Sequence, residues 1–278
     1  MKLGKFEIYS LSDGTFKLDG GAMFGVVPKV FWEKKDPADE KNRVLVGLNP
    51  LLIRTGEKNI IIDTGIGDKW DQRFCEIYGV NKSTTLIKSL AEVNLSPSDI
   101  DIVINTHLHF DHAGGNTMIG EGGKIIPAFP NAKYLIQKGE WDDALNPNDR
   151  TKGSYLKENI LPLMEHKKVE FLYDDETIDE EIKVIKTPGH NRNHQCVMLE
   201  SEGRKAFYLG DLIPTSSHLQ IAWGMGFDLF PAETMEIKKK ILNQALEGKW
   251  LLVFEHDPRM RMGYLKTVNG KMEIERVE

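Results

Sequence analysis

The stretch Ile104–Asn116, INTHLHFDHAGGN, sets His107, His109, Asp111 and His112 within six consecutive positions of a chain that has eight histidines in 278 residues. Neutral imidazole nitrogen and carboxylate oxygen are the usual donors to zinc and similar divalent ions. His107 and His109 are two apart and point the same way in extended chain. Asp111 and His112 follow a bend and can face a second point, so one motif can serve two adjacent ions. A catalytic ion normally keeps three protein ligands and one open position, and two such ions need more donors than this motif holds. Three further candidates each follow an apolar run: His190 after Thr187-Pro188-Gly189, Asp211 after Leu209-Gly210, and His256 after LLVFE. A single histidine at a strand end is ordinarily a capping or solvated residue. The whole set together points to metal.

Two ions roughly 3.5–4 Å apart can share a water, lower its pKa towards neutrality and clamp the oxygen on which charge develops. The expected chemistry is therefore hydrolysis by a metal-bridging hydroxide, with no side-chain nucleophile. No GxSxG elbow is present and neither Cys75 nor Cys196 stands beside a histidine, so covalent acyl-enzyme chemistry has no sequence support. Such a donor set accepts zinc, iron, manganese or cobalt, with zinc the first expectation.

The elements that must position these residues read as follows. LNPLLIRTGEKNIIIDTG is a hairpin around Gly56–Asn59 that delivers Asp63 to a strand end. Residues 83–94 have helical spacing, and Ser96-Pro97 starts a short helical turn. IDIVINTH is a buried strand handing the chain to the histidine cluster. KGEWDDAL and SYLKENILPLMEH read as helices, and KVIKTPGH, CVMLE and AFYLGD contain strands. A long helix is expected from Glu233 to Leu246, stopped by Gly248, before the strand WLLVFEH. Polar site-type residues recur just after apolar strands, where α/β folds place their chemistry. The fold class is α/β (α+β), read as a single domain over 1–278.

THLHFDHAGG, TPGH, GD and EHD, in this order and at these separations, resemble the metallo-β-lactamase-fold superfamily over nearly the whole chain. The resemblance implies an αββα sandwich. It also implies that His107, His109 and His190 hold one ion, that Asp111, His112 and His256 hold the other, and that Asp211 bridges both. Asp63 would orient a ligand imidazole, and His194, four after His190, would support the site without binding metal. Catalytic roles fall to Asp211 and to Asp111, which would touch the bridging hydroxide or carry the proton of the leaving group. Within the superfamily the pattern is similar to the N-acyl homoserine lactonases and to relatives that hydrolyse organophosphate triesters such as methyl parathion. One departure stands out. Those lactonases often carry a tyrosine three residues after the bridging aspartate, and here that position is Pro214.

Asp19–Trp32, DGGAMFGVVPKVFW, combines glycines with Met23, Phe24 and Phe31, so it reads as an apolar lid over substrate, as core packing, or as a dimer contact. His218 is a candidate helper at the substrate carbonyl, with Thr215 and Trp223 as lesser candidates. The expected function is opening of lactones or cleavage of activated esters, with organophosphate triesterase activity as an extension. The alternatives are a phosphodiesterase-type metallohydrolase and a non-catalytic metal-binding sensor. The formal charge of −6 and the lack of a long Lys/Arg tract argue against nucleic acid as a partner. The start MKLGKFEIYSLSDG has no apolar run suited to a signal or membrane segment, so a cytoplasmic location is expected. The two cysteines have no ligand or disulfide spacing and read as reduced thiols.

Overall fold

A computed structural model describes residues 1–277. Two seven-stranded sheets carry most of the described chain. In spatial order the first comprises Lys2–Leu3, Phe6–Ser10, Leu51–Arg54, Asn59–Ile62, Ile102–Ile104, Lys133–Gln137 and Val169–Leu172. The second comprises Glu176–Asp179, Ile182–Lys186, Gln195–Ser201, Arg204–Tyr208, Leu251–Val253, Met262–Val268 and Lys271–Arg276.

Side-chain alternation explains why the sheets stack. In Asn59–Ile62, Ile60 and Ile62 enter the core between the sheets with Ile53, Ile104, Val197, Leu199 and Val253. Ile61 points the other way, onto Leu86, Leu90, Trp141 and Leu163 of the flanking helices. The second sheet repeats the device. Met198, Phe207 and Leu252 turn outward onto Ile241, Leu242 and Ala245 of the helix Pro231–Gly248. A strand covered on both faces must be apolar at every position, which is why NIII carries no alternation. The expected αββα sandwich follows.

Several boundaries differ from the sequence reading, each for a local reason. The stretch 154–166 is not one helix but a 3₁₀ turn at Lys157–Asn159 and a helix at Leu161–Glu165. Pro162 has no N–H for the carbonyl four residues back, so the helix restarts with the proline in its first turn. The long helix begins earlier than expected, at Pro231, and Gly248 is its last residue; Lys249 takes the left-handed cap at φ 51°. Residues 19–32 form two short helices, Gly20–Phe24 and Lys29–Trp32, the first capped by Asp19 accepting from the Ala22 N–H. Among the described residues no helix is long and apolar enough to cross a membrane.

Parallel pairing sets the site edge. Ile62 and Leu135 both lie opposite Ile104, so Asn59–Ile62 and Ile102–Ile104 end level while Lys133–Gln137 runs two residues farther. In the second sheet Tyr208 lies opposite Val253 in parallel register, which brings out the loops bearing Asp211 and His256 side by side. The turn between the antiparallel partners Lys186 and Gln195 bears His190 and His194. Gln195 N–H donates to Thr106 O at 3.0 Å, joining the two sheets beside the histidine cluster.

Candidate metal centre

The loop that leaves Ile104 is held in place before any ion is considered. Asp63 takes a left-handed conformation, φ 56°, which asparagine and aspartate tolerate better than most residues. Its carboxylate accepts from Thr106 N–H at 2.7 Å, Thr106 Oγ1–H at 2.7 Å and His112 Nδ1–H at 3.0 Å. Farther along, Gly114 and Gly115 lie against the backbone carbonyls of Ile66 and Thr64, where a Cβ would collide. The glycine pair is the steric condition for folding the short helix Phe110–Ala113 back under the strand end.

Two donor groups result: His107, His109, His190 and Asp211, and beside them Asp111, His112 and His256, the donor atoms of each group lying within 4.8 Å of one another. His109 Nδ1 is 3.0 Å from His107 Nε2 and 3.1 Å from His190 Nε2. His256 Nε2 is 3.0 Å from His112 Nε2 and 3.6 Å from Asp111 Oδ2. Asp211 stands between them. Its Oδ2 is 3.2 Å from His190 Nε2, and its Oδ1 is 3.3 Å from His256 Nε2 and 3.4 Å from His112 Nε2.

Partners on the far side of the rings set the tautomers. Thr106 Oγ1, already donating to Asp63, accepts from His107 Nδ1–H at 3.1 Å. Asp228 Oδ1 accepts from His190 Nδ1–H at 3.1 Å, and Gly47 O accepts from His256 Nδ1–H at 2.9 Å. With His112 on Asp63, four imidazoles are locked with the Nε2 lone pair facing inward, as outer-shell acceptors commonly do for ligating histidines. Asp211 Oδ1, buried, then has no hydrogen-bond donor. Lone pairs facing lone pairs in a dry pocket are unfavourable unless a cation lies between them, so the residues present fit divalent ions. The two clusters are consistent with a dinuclear site.

In the metal-free protein, protons take the cations' place. Burial opposes charge on His256, yet the Asp211 carboxylate prevails and raises it to about 9. Burial likewise opposes charge on His112 and His190, and Asp211 again raises both. Asp211 itself, against the cost of burial, is held well below the usual carboxylate range by His112, His190 and His256. Metal ions must displace these protons. Affinity should therefore rise with pH through neutrality and on towards about 9. Calorimetric titrations in two buffers of different ionisation enthalpy would show net proton release at pH 7.5; equal heats in both would contradict this protonation pattern.

The centre forms the floor of a cavity of about 600 Å³, walled by Met23, Ile77, Tyr78, Phe110, Met225 and Phe227 and reached by Lys17, Arg43 and Arg150. Of the residues expected to contact substrate, Met23 lines this cavity. Phe24, Phe31 and His218 do not. Phe24 is buried in a stack between Trp32 and His218, and Phe31 is 57% exposed. His218 Nε2–H donates to Met23 O at 2.9 Å and Nδ1 accepts from Thr215 Oγ1 at 2.8 Å, which leaves neither nitrogen for substrate. Of the apolar residues of 19–32, Met23, Phe24 and Trp32 are buried while Val26, Val30 and Phe31 are exposed, so exposure could not be inferred from residue type. Trp223 packs edge-on against Phe24. Pro214 contributes its carbonyl, accepting from His256 N–H at 3.0 Å. His194 Nε2 accepts from Asp211 N–H at 3.0 Å, and Asp63 holds His112. Sequence reasoning missed Asp228, which lies in the motif-free stretch WGMGFDLF, and Tyr78, Arg150 and Phe227 of the cavity wall.

A two-sheet sandwich with two histidine–carboxylate clusters at one edge defines a metal-binding class of protein. The chain belongs to the metallo-beta-lactamase superfamily, whose family model matches residues 45–256, and it is related to the N-acyl homoserine lactonase branch. It is 31% identical to an N-acyl homoserine lactonase of Bacillus thuringiensis over 218 residues, which are 74% of this chain and 79% of the relative. A probable metal-dependent hydrolase from Staphylococcus aureus superposes over 100% of both chains with a TM-score of 0.91 and 32% identity. AidC, a dizinc quorum-quenching lactonase, superposes over 100% of this chain and 96% of its own with a TM-score of 0.80; at 24% identity this likeness concerns the fold.

Proposed function

We propose that the protein is a dinuclear metal-dependent hydrolase that opens lactones and cleaves activated esters bearing an apolar group. One observation carries the reading: Asp211 faces both donor clusters at the floor of an apolar-walled cavity open to small molecules. In this reading His107, His109 and His190 hold one ion, Asp111, His112 and His256 the other, and Asp211 both, with zinc expected first. Two such ions supply an activated water and polarisation of the ester carbonyl. The chain supplies the remainder. Asp63, Asp228 and Gly47 O hold the imidazoles in the donor tautomer. In this reading Asp111, which lines the cavity, would take a proton from the water and return it to the leaving oxygen. Met23, Phe110 and Met225 hold the apolar group and exclude bulk water. N-acyl homoserine lactones, for which the Bacillus thuringiensis relative is named, join a ring ester to an acyl tail and suit both parts of this cavity.

The test is a panel of lactones, aryl esters, phosphodiesters and phosphotriesters, run with protein reconstituted with zinc, manganese, iron or cobalt. Long-acyl lactones and aryl esters should show the highest kcat/KM. Phosphotriesters turned over faster than any lactone would remove this substrate class, and two bound ions with no turnover would favour a sensor. Met23→Ala should raise KM for long-acyl lactones by about fivefold, since part of a methionine's burial is lost only for the long tail. Phe31→Ala should change nothing; an equal effect of both would mean that the tail lies elsewhere.

A further inference from the structure

We propose that Glu140 is a positioning residue for the three-histidine cluster, a role that rests on the dinuclear reading above. Glu140 projects from the helix Lys138–Leu145 and is 1% exposed. Its Oε1 accepts three hydrogen bonds: from Leu108 N–H at 2.8 Å, from Tyr155 Oη–H at 2.9 Å and from Asn191 Nδ2–H at 3.2 Å. Leu108 is the residue between His107 and His109, and Asn191 directly follows His190. Tyr155 closes the set. Its ring lies 4.8 Å from that of His109, and its hydroxyl oxygen is 3.3 Å from Asn191 Nδ2.

One oxygen atom thus ties together the segments bearing all three imidazoles of one cluster. The other cluster is held by different groups, Asp63 on His112 and Gly47 O on His256. The Leu108 amide matters most. An N–H at this position, fixed inward towards the Lys138–Leu145 helix, keeps His107 and His109 in extended chain with both rings facing the same side. Removing its acceptor would leave a buried donor unpaired and free the backbone between the two histidines to rotate. Glu140 Oε2 is buried without a partner, so the hydrogen bonds that offset burial of this carboxylate all converge on Oε1.

The experiment is stepwise metal binding to the stripped full-length protein by chelator competition, with His109→Ala and His256→Ala assigning each step to its cluster. Glu140→Leu should weaken the three-histidine step by about 10- to 100-fold and leave the other step within about twofold. Glu140→Gln, which keeps an acceptor oxygen, should restore most of the affinity. Hydrogen exchange at the Leu108 amide should accelerate in the metal-free Glu140→Leu protein. Two wild-type binding steps in Glu140→Leu, or equal weakening of both, would overturn the proposal. If that variant does not fold, Asn191→Ala and Tyr155→Phe each remove one donor and should weaken the same step several-fold; no change in either would equally overturn it. A wild-type protein that binds fewer than two ions overturns the dinuclear reading and this proposal with it, whereas two ions in the wild type and no effect in the variants removes the role of Glu140 alone.

Discussion

Asp211→Ala is expected to lower turnover on the order of a thousandfold or more while retaining most of the bound metal, because preorganised charge at a reacting centre is usually the largest single contribution. Asp211 presents one oxygen to each cluster, 3.2 Å from His190 and 3.3 Å from His256, and no other carboxylate lies this way between them among the described residues. Its removal leaves six donors in two half-sites whose separation is no longer set by a shared group. Without the shared carboxylate the spacing of the two donor clusters would no longer be fixed, and the charge that would hold two cations close together would be lost. Asp211→Asn should fare little better, since it keeps the shape and loses the charge. Metal analysis alongside steady-state kinetics decides the matter. Near wild-type rates with both ions bound would remove Asp211 from the centre of the mechanism.

Stripping the metal is expected to lower the midpoint of thermal unfolding by on the order of 10 °C or more, reversibly on addition of zinc. An ion present at a thousand times its dissociation constant stabilises the native state by about 4 kcal/mol, and a chain of this size shifts by a few degrees per kcal/mol. The donors make the effect global. His107, Asp111 and His112 follow a strand of the first sheet, while His190, Asp211 and His256 follow strands of the second. Bound ions therefore fasten the two halves of the sandwich across the core they share. Scanning calorimetry with and without chelator would show it, and coincident melting curves would mean that no ion is held in this way.

How much of this was legible in the sequence depends on distance along the chain. His107, His109, Asp111 and His112 are neighbours, so their spacing alone carried the chemistry. His190, Asp211 and His256 are far apart, yet each follows an apolar strand, and strand ends of a sandwich converge on one edge. Asp228 had neither signal. It reaches His190 only because the loop after Leu219 returns across the site, with Leu229 N–H bonded to His190 O at 2.9 Å. Glu140 lies in KGEWDDAL, read only as a helix, and only its burial distinguishes it. Cavity lining was the least legible of all. Met23 and Phe24 are adjacent and both apolar, and nothing in residue type shows that one faces the cavity while the other is stacked behind it.

That stack decides what kind of receptor the cavity is. Phe24 lies flat between Trp32 and His218, at 5.1 and 4.7 Å, while His218 grips the Met23 carbonyl and Gly226 N–H grips that of Ala22. The wall is in place before a ligand arrives. Little conformational entropy is lost on entry, and the heat-capacity change of binding reflects the apolar area that the ligand itself buries, not the ordering of a loop. A receptor of this kind does not reshape itself around each guest. On the proposed function, it would sort acyl tails by how long they stay, through the dissociation rate, and admit them all at similar speed.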